Sequence, residues 1–303
     1  IDAAGNAIAI WQDSDVSMRA NHYSNKSGWG TSELIIGKAQ PYNAPTKLIT
    51  HDANGNAVAV WGYGKGTCCY EIVANDYRAS GVASGWNTTI GTTIYTSNIA
   101  VSDITLNVSR AGDANVVWNE PAGTLPGYRK VSASWFTAAG RKWSTPASIA
   151  IYDGNYRNVV LGNGEVVTAF ANSSSVFGSL DSAVFKEGKW SAVKSLWQRN
   201  QQSHLIGPVA LAQNTTQVLA VWSLSADADH SLWSNRYADG VWSPDPVPVY
   251  KGGAENIVAT SVNAVLDEFG NALVAWCVDR GNTTYDLYAT RFMNGGWQSK
   301  PDK

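Results

Sequence analysis

Charge is scarce in this chain. Asp, Glu, Lys and Arg make up 15 % of it, and 22 basic residues nearly balance 24 acidic ones. A net charge of −2 with both signs scattered excludes the basic footprint that nucleic-acid binding requires. Apolar runs are short, so no segment is read as spanning a bilayer, and no signal peptide stands at Ile1. Cysteine is limited to Cys68, Cys69 and Cys277, an odd count at no zinc spacing. A disulfide between Cys68 and Cys69, a pairing of either with Cys277, and unreacted thiols all stay open. No nucleophile elbow, phosphate loop or zinc-protease helix occurs, and no glycosidase carboxylate pair can be picked out. The low charge and the wealth of Ser, Thr, Asn and Gly suit an extracellular or cell-surface protein. Asn-x-Ser/Thr triplets begin at Asn25, Asn87, Asn107, Asn172, Asn214 and Asn282, and they matter only where secreted proteins are glycosylated.

What the chain does have is a repeat. Asp52-Ala53-Asn54-Gly55-Asn56-Ala57-Val58-Ala59-Val60-Trp61 recurs nearly unchanged from Asp2 to Trp11 and again from Asp267 to Trp276. Weaker copies end at Trp118, Phe170 and Trp222, so the terminal aromatics are 50, 57, 52, 52 and 54 residues apart. Asp followed by Gly three later is turn chemistry: Asp binds the backbone ahead of it, and Gly takes a positive φ. The residues after Asn56 alternate as a strand, apolar on both faces and therefore covered on both.

A second signature follows in every unit. The aromatics Tyr23, Tyr77, Phe136, Phe185, Tyr237 and Phe292 each have a small residue three positions earlier and an apolar one five earlier. Trp29, Trp86, Trp143, Trp190, Trp242 and Trp297 come soon after. Four short strands per unit of about this length describe a propeller blade. The expected fold is all-β: a six-bladed β-propeller of four-stranded antiparallel blades, one domain over residues 1–303. The Trp at the two repeated positions are read as packing. The first unit begins at its turn and the last ends soon after Trp297, so a blade is short of a strand. That predicts either a trimmed chain or a strand supplied by a neighbouring molecule.

The turns with Asp and Gly are regular, whereas the loops after each repeated Trp, at the other end of the strands, differ in every unit. A variable loop face is where a propeller most often meets its partner. Candidate ligand-binding residues near it are Tyr63, Glu120, Trp197, Arg199, His204, Asp279 and Arg280. Trp197, out of register with the repeat like Trp135 and Trp233, offers with Arg199 the ring and the polar group that sugar recognition needs. Asp13 with Asp15, and Asp227 with Asp229, alternate oxygen ligands that can hold Ca²⁺, without a twelve-residue calcium loop. Solvated acidic turns are the preferred account of both, and no other cofactor is implied.

The Asp-x-x-Gly-Asn-Ala-x-Ala-Val-Trp units resemble repeats of bacterial secreted propeller proteins, over essentially the whole chain. The turn at Asp2, Asp52 and Asp267 is also similar to that of the NHL repeat, with Trp where that repeat usually has a polar residue. In unit number and size the chain is similar to fucose lectins, although their Arg-Glu-Trp sugar site has no counterpart here. Sialidases share the blade number, but their Asp box sets Trp closer to Asp. The resemblance and the residues together predict a non-catalytic extracellular or cell-surface module that binds a glycan or a surface protein. The alternatives are a structural subunit that self-assembles through strand complementation, and a sialidase-like glycoside hydrolase.

Overall fold

The computed structural model describes residues 2, 4–13, 17–36, 46–65, 69–81, 84–87, 91–109, 111–123, 126–172, 178–198, 204–205, 209–226, 229–252, 256–258 and 261–303. These residues form six antiparallel sheets and no α-helix. None of their segments is a helix long and apolar enough to cross a membrane. The chain divides into two compact units, Ile1–Ala150 and Ile151–Lys303.

The second sheet shows the plan. Thr46–His51, Ala57–Lys65, Cys69–Arg78 and Gly85–Trp86 follow in order, and Thr92–Ser97 continues along the same edge of Cys69–Arg78. The third and fourth sheets repeat this arrangement. The expected fourth strand is thus broken in two. Register shifts mark the second piece at Met18/Arg19, Ile72/Val73, Leu180/Asp181 and Leu232/Trp233, which is one and the same repeat position. A bulge there bends the outer edge in these four sheets. In the fifth and sixth sheets the first strand is broken too, as His204–Leu205 with Ala210–Gln213 and as Asn256–Ile257 with Asn263–Leu266. The first sheet starts directly with Ala7–Gln12. In the sixth, the outer edge is met by a lone bridge between Ala289 and Asp302.

Both faces of each second strand are covered. Val58 and Val60 pack with Val116 and Trp118 of the third sheet, while Ala59 and Trp61 pack with Met18 and Ala20 of the first. In the other unit, Ala169 and Ala171 meet Ala220 and Trp222, and Leu219 and Val221 meet Val274 and Trp276. The small residues on one face let the neighbouring indole approach, which is why the alternation is Ala against Trp. Trp61, Trp118, Trp222 and Trp276 are fully buried, and their indole N–H groups donate to no protein acceptor. Shape and apolar area therefore hold these rings, and Phe170 occupies the same repeat position in the fourth sheet without an N–H. The apolar residue five before the second aromatic is likewise buried at Met18, Ile72, Val131, Leu180 and Leu232. Leu287 departs from this, being 63 % exposed, because the outer edge beside it carries only the Asp302 bridge.

The turns behave as the sequence implies and are also linked. Asp52 Oδ1 accepts the amides of Asn54 and Asn56 at 2.8 and 2.9 Å, and its Oδ2 accepts Asn56 Nδ2 at 2.7 Å. Asp2 and Asp267 make the same three bonds. Those bonds, that from the Asn side chain foremost, hold the Asp2 and Asp267 carboxyls below their ordinary value. The fifth turn residue then reaches the end of the third strand. Asn56 Oδ1 accepts Ala79 N at 3.1 Å, Asp113 Oδ1 accepts Ala138 N at 2.8 Å, and Gln217 Oε1 accepts Arg236 Nη1 at 2.6 Å. At this position in the fourth sheet stands Glu165, which takes the buried Tyr237 hydroxyl at 2.8 Å and the Lys186 ammonium at 2.8 Å. Successive turns also touch: a Cβ on Gly112 (φ +87°) would lie 2.8 Å from Asp52 Oδ2.

Three outcomes follow for stability, each measured by denaturant unfolding. Trp222→Ala should cost about 3–5 kcal/mol, the usual loss for a buried large aromatic; Trp222→Phe should cost well under half of that, since no hydrogen bond is lost. Gly112→Ala should destabilise by about 1–3 kcal/mol, through the positive φ and the approach to Asp52. Burial, then the bond to Glu165, pushes the Tyr237 hydroxyl far above its ordinary value of 10.0. A raised phenol pKa contributes stability below the unfolded value and loses it as pH rises beyond, so stability should fall above pH 10. Tyr237→Phe should be less stable by about 1.5–3 kcal/mol at neutral pH and show a shallower alkaline decline.

Candidate functional site

The end of each third strand is built by two repeated aromatics. Tyr23 pairs across the hairpin with Trp29, Tyr77 with Trp86, Phe136 with Trp143, Phe185 with Trp190, Tyr237 with Trp242 and Phe292 with Trp297. The ring centroids are 5.2–5.5 Å apart in all six pairs, a favoured separation for tilted and edge-on contacts. Beside these pairs, between neighbouring sheets, the structure opens clefts. They lie at the turn ends of the strands, away from the variable loops.

In the first unit, a cleft of ≈ 370 Å³ lies between the first and second sheets, with Tyr23, His22, Tyr77, Asn6 and His51 around it. The His22 ring stands 4.0 Å from that of Tyr77. Its Nε2 meets no protein partner, and burial pushes its pKa below the ordinary value. A second cleft of ≈ 500 Å³, between the second and third sheets, is lined by Tyr77, Phe136, Asp76, Arg78 and Asn56. Asp76 is engaged there by Arg141 Nε at 2.5 Å and by Asn87 Nδ2 at 3.0 Å, whereas Arg78 donates to Ala138 O at 3.2 Å.

In the second unit, a cleft of ≈ 510 Å³ between the fourth and fifth sheets is framed by Trp190, Trp242 and Tyr237, with Lys186, Lys189 and Lys194 around the rings. The Glu165 bond raises the Lys186 pKa. A fourth cleft of ≈ 270 Å³, between the fifth and sixth sheets, is lined by Trp297, Phe292, Arg236, Asn235, Ser243 and Asp245. Arg236 Cζ lies 4.8 Å over the Phe292 ring, and burial lowers its pKa.

Of the residues expected to bind ligand, Glu120, Trp197, Asp279 and Arg280 line none of these four clefts. Glu120 is buried, accepts the Tyr95 hydroxyl at 2.8 and 2.9 Å and Ser97 Oγ at 3.0 Å, and pairs with Lys130. Its carboxylate is a fixed anchor within the third sheet's surroundings. Trp197 is half-buried and packs against the core of the fourth and fifth sheets. Arg280 is committed to Asp286 at 2.7 Å and to the Tyr288 hydroxyl at 2.7 Å, and Asp279 accepts its own turn amide from Gly281 at 2.7 Å. Tyr63 and His204 sit on strands Ala57–Lys65 and His204–Leu205, paired with Glu71 and Ser225.

Asp13 is paired with Arg19 Nε at 2.8 Å, Asp229 lies on a strand opposite Ala226, and Asp15 and Asp227 fall outside the described residues. Among the described residues no group of three or more His, Cys, Asp or Glu side chains comes together as a metal site would. Arg199 and Cys68 also fall outside them, which leaves the Cys68–Cys69 disulfide an expectation. Cys277 is a half-buried free thiol.

His22, Arg78, Lys186, Arg236 and Asn235 were not singled out by the sequence. One signal was present: the residue just before the third-strand aromatic reads His22, Asp76, Trp135, Val184, Arg236 and Arg291. Its chemistry varies among the units, Arg alone occurring twice, while the surrounding pattern stays fixed.

No protein-family model matches this chain, and no curated protein does. Among solved structures, it is similar to the BP39L lectin from Burkholderia pseudomallei, with 14 % identity over 97 % of this chain and 80 % of that one, at a TM-score of 0.54. AofleA from Arthrobotrys oligospora aligns over 100 % of this chain and 84 % of its own, at 12 % identity and a TM-score of 0.45. A Penicillium chrysogenum α-L-arabinanase, solved with arabinobiose, covers 84 % of each chain at 10 % identity and a TM-score of 0.45. The last two likenesses are too loose to carry an argument, and the first speaks for the fold alone. The described residues are all-β and built of antiparallel sheets, a fold similar to that of a bacterial lectin.

Proposed function

We propose that this chain is a six-bladed β-propeller of four-stranded blades whose turn-side clefts bind saccharides without transforming them. One observation carries the reading: at one repeat position, in both units, third-strand aromatics stand next to polar side chains in a cleft of a few hundred Å³, joined by Trp190 and Trp242 or by Trp297 in the second unit. Sugars present exactly this requirement, an apolar ring face with hydroxyls at its rim, and recurring pockets suit recurring units of a glycan. The fold shared with a lectin agrees with it. A binding role is favoured over hydrolysis by the lining of the clefts, each of which holds a single carboxylate: Asp2, Asp76, Glu187 or Asp245. Glycoside hydrolysis ordinarily takes two, about 5–10 Å apart. The low charge and Ser/Thr/Asn-rich composition support an extracellular setting for such a module.

The reading is tested by screening the whole chain on a glycan array and titrating the hits by tryptophan fluorescence. We expect more than one saccharide per chain at saturation. Trp190→Ala and Trp297→Ala should each weaken binding at their own cleft by about fivefold or more while near-ultraviolet circular dichroism stays that of a folded protein. Absence of any bound saccharide, or hits indifferent to both substitutions, would remove the reading.

A further inference from the structure

The cleft between the fifth and sixth sheets holds a cation without a counter-ion. Arg236 is half-buried near the end of strand Asp229–Ala238. Of its five N–H groups, one is used within the protein, Nη1 to Gln217 Oε1 at 2.6 Å, and its plane lies against Phe292. Arg19, Arg141, Arg280 and Arg291 each have an aspartate partner. Among the described residues no carboxylate lies within ion-pairing distance of Arg236, and Asp245, on the same cleft, is exposed and apart from it.

Trp297, half-buried on the same cleft, directs Nε1 to Ser234 Oγ at 3.3 Å. A partly desolvated guanidinium and an indole thus line one cavity. Each has a natural complement: an anion and an apolar ring face.

We propose that this cleft takes an acidic saccharide, its carboxylate or sulfate ester on Arg236 and its sugar face against Trp297. The proposal rests on the glycan reading and narrows it. A neutral sugar can stack on Trp297; only an anion neutralises Arg236, and a charge-assisted forked pair is the stronger bond.

The test is a set of titrations of the whole chain at low ionic strength, followed by tryptophan fluorescence, with glucuronate, glucose 6-sulfate, glucose and acetate. At least one acidic sugar should bind about tenfold or more tightly than glucose. Arg236→Gln should abolish that advantage, so that the variant binds acidic and neutral sugars alike, and Arg236→Lys should retain part of it. Preference for glucuronate assigns a carboxylate, preference for glucose 6-sulfate a sulfate ester, and either supports the proposal. Equal affinity for acidic and neutral sugars, or an advantage that survives Arg236→Gln in a folded protein, overturns it while leaving the glycan reading intact. Acetate binding as tightly as glucuronate overturns the saccharide part, and no binding of any sugar overturns both.

Discussion

The fifth residue of the Asp–Gly turn is the fastening on which each sheet depends. A turn between the first and second strands would by itself fix only those two. Because Asn56, Asp113, Glu165 and Gln217 reach across to the end of the third strand, the same residue sets where the second hairpin begins. Side chains of different length do the same task, and each length brings a different partner. A carboxamide or Asp captures the backbone amide, Gln captures a guanidinium, and Glu captures an ammonium and a phenol. Asp at the turn's start then locks the fifth residue, as Asp52 does Asn56. The apolar packing is built on that frame, since the faces of the second strand meet their neighbours only if the hairpins are in register.

Packing between sheets in turn explains the clefts. Ala opposite Trp closes the middle of the strands tightly, so the sheets are in full contact there. Toward the turn end the third strand carries a paired Tyr or Phe with Trp, too bulky to interdigitate with the next pair. Cavities lie beside these rings. Ring pairs and cavities are one feature seen from two sides, which is why every cleft described has an aromatic wall.

Much of the fold could be read from the residues. The Asp-x-x-Gly turn, the strand apolar on both faces, and the small and apolar positions before the third-strand aromatic all reflect local rules, and the register pairs Ala57 with Tyr77 and Tyr77 with Trp86 accordingly. The broken outer strands could not be read, because a bulge leaves no change of residue type at Ile72/Val73. The position of the clefts was missed for a different reason. Loop length drew attention to one end of the strands, whereas the chemistry that varies at the other end sits on backbone of constant length. Glu120 illustrates the limit: a carboxylate beside a loop looks available in sequence, and only the approach of Tyr95, Ser97 and Lys130 shows that it is spent. The isolation of Arg236 is likewise a property of its neighbours, not of its own segment.

The clefts share a frame but not a lining: an imidazole in one, an Arg–Asp pair in the next, lysines around two indoles, and a lone guanidinium over Phe292. Tethering unlike pockets on one chain makes their effective concentrations multiply only when the ligand offers matching groups at matching intervals. A homopolymer would engage one pocket well and the others poorly. A heteropolymer whose units differ along its length would engage several at once, so avidity from such a chain reports the order of units along a polymer, and no single pocket need be selective for it to do so.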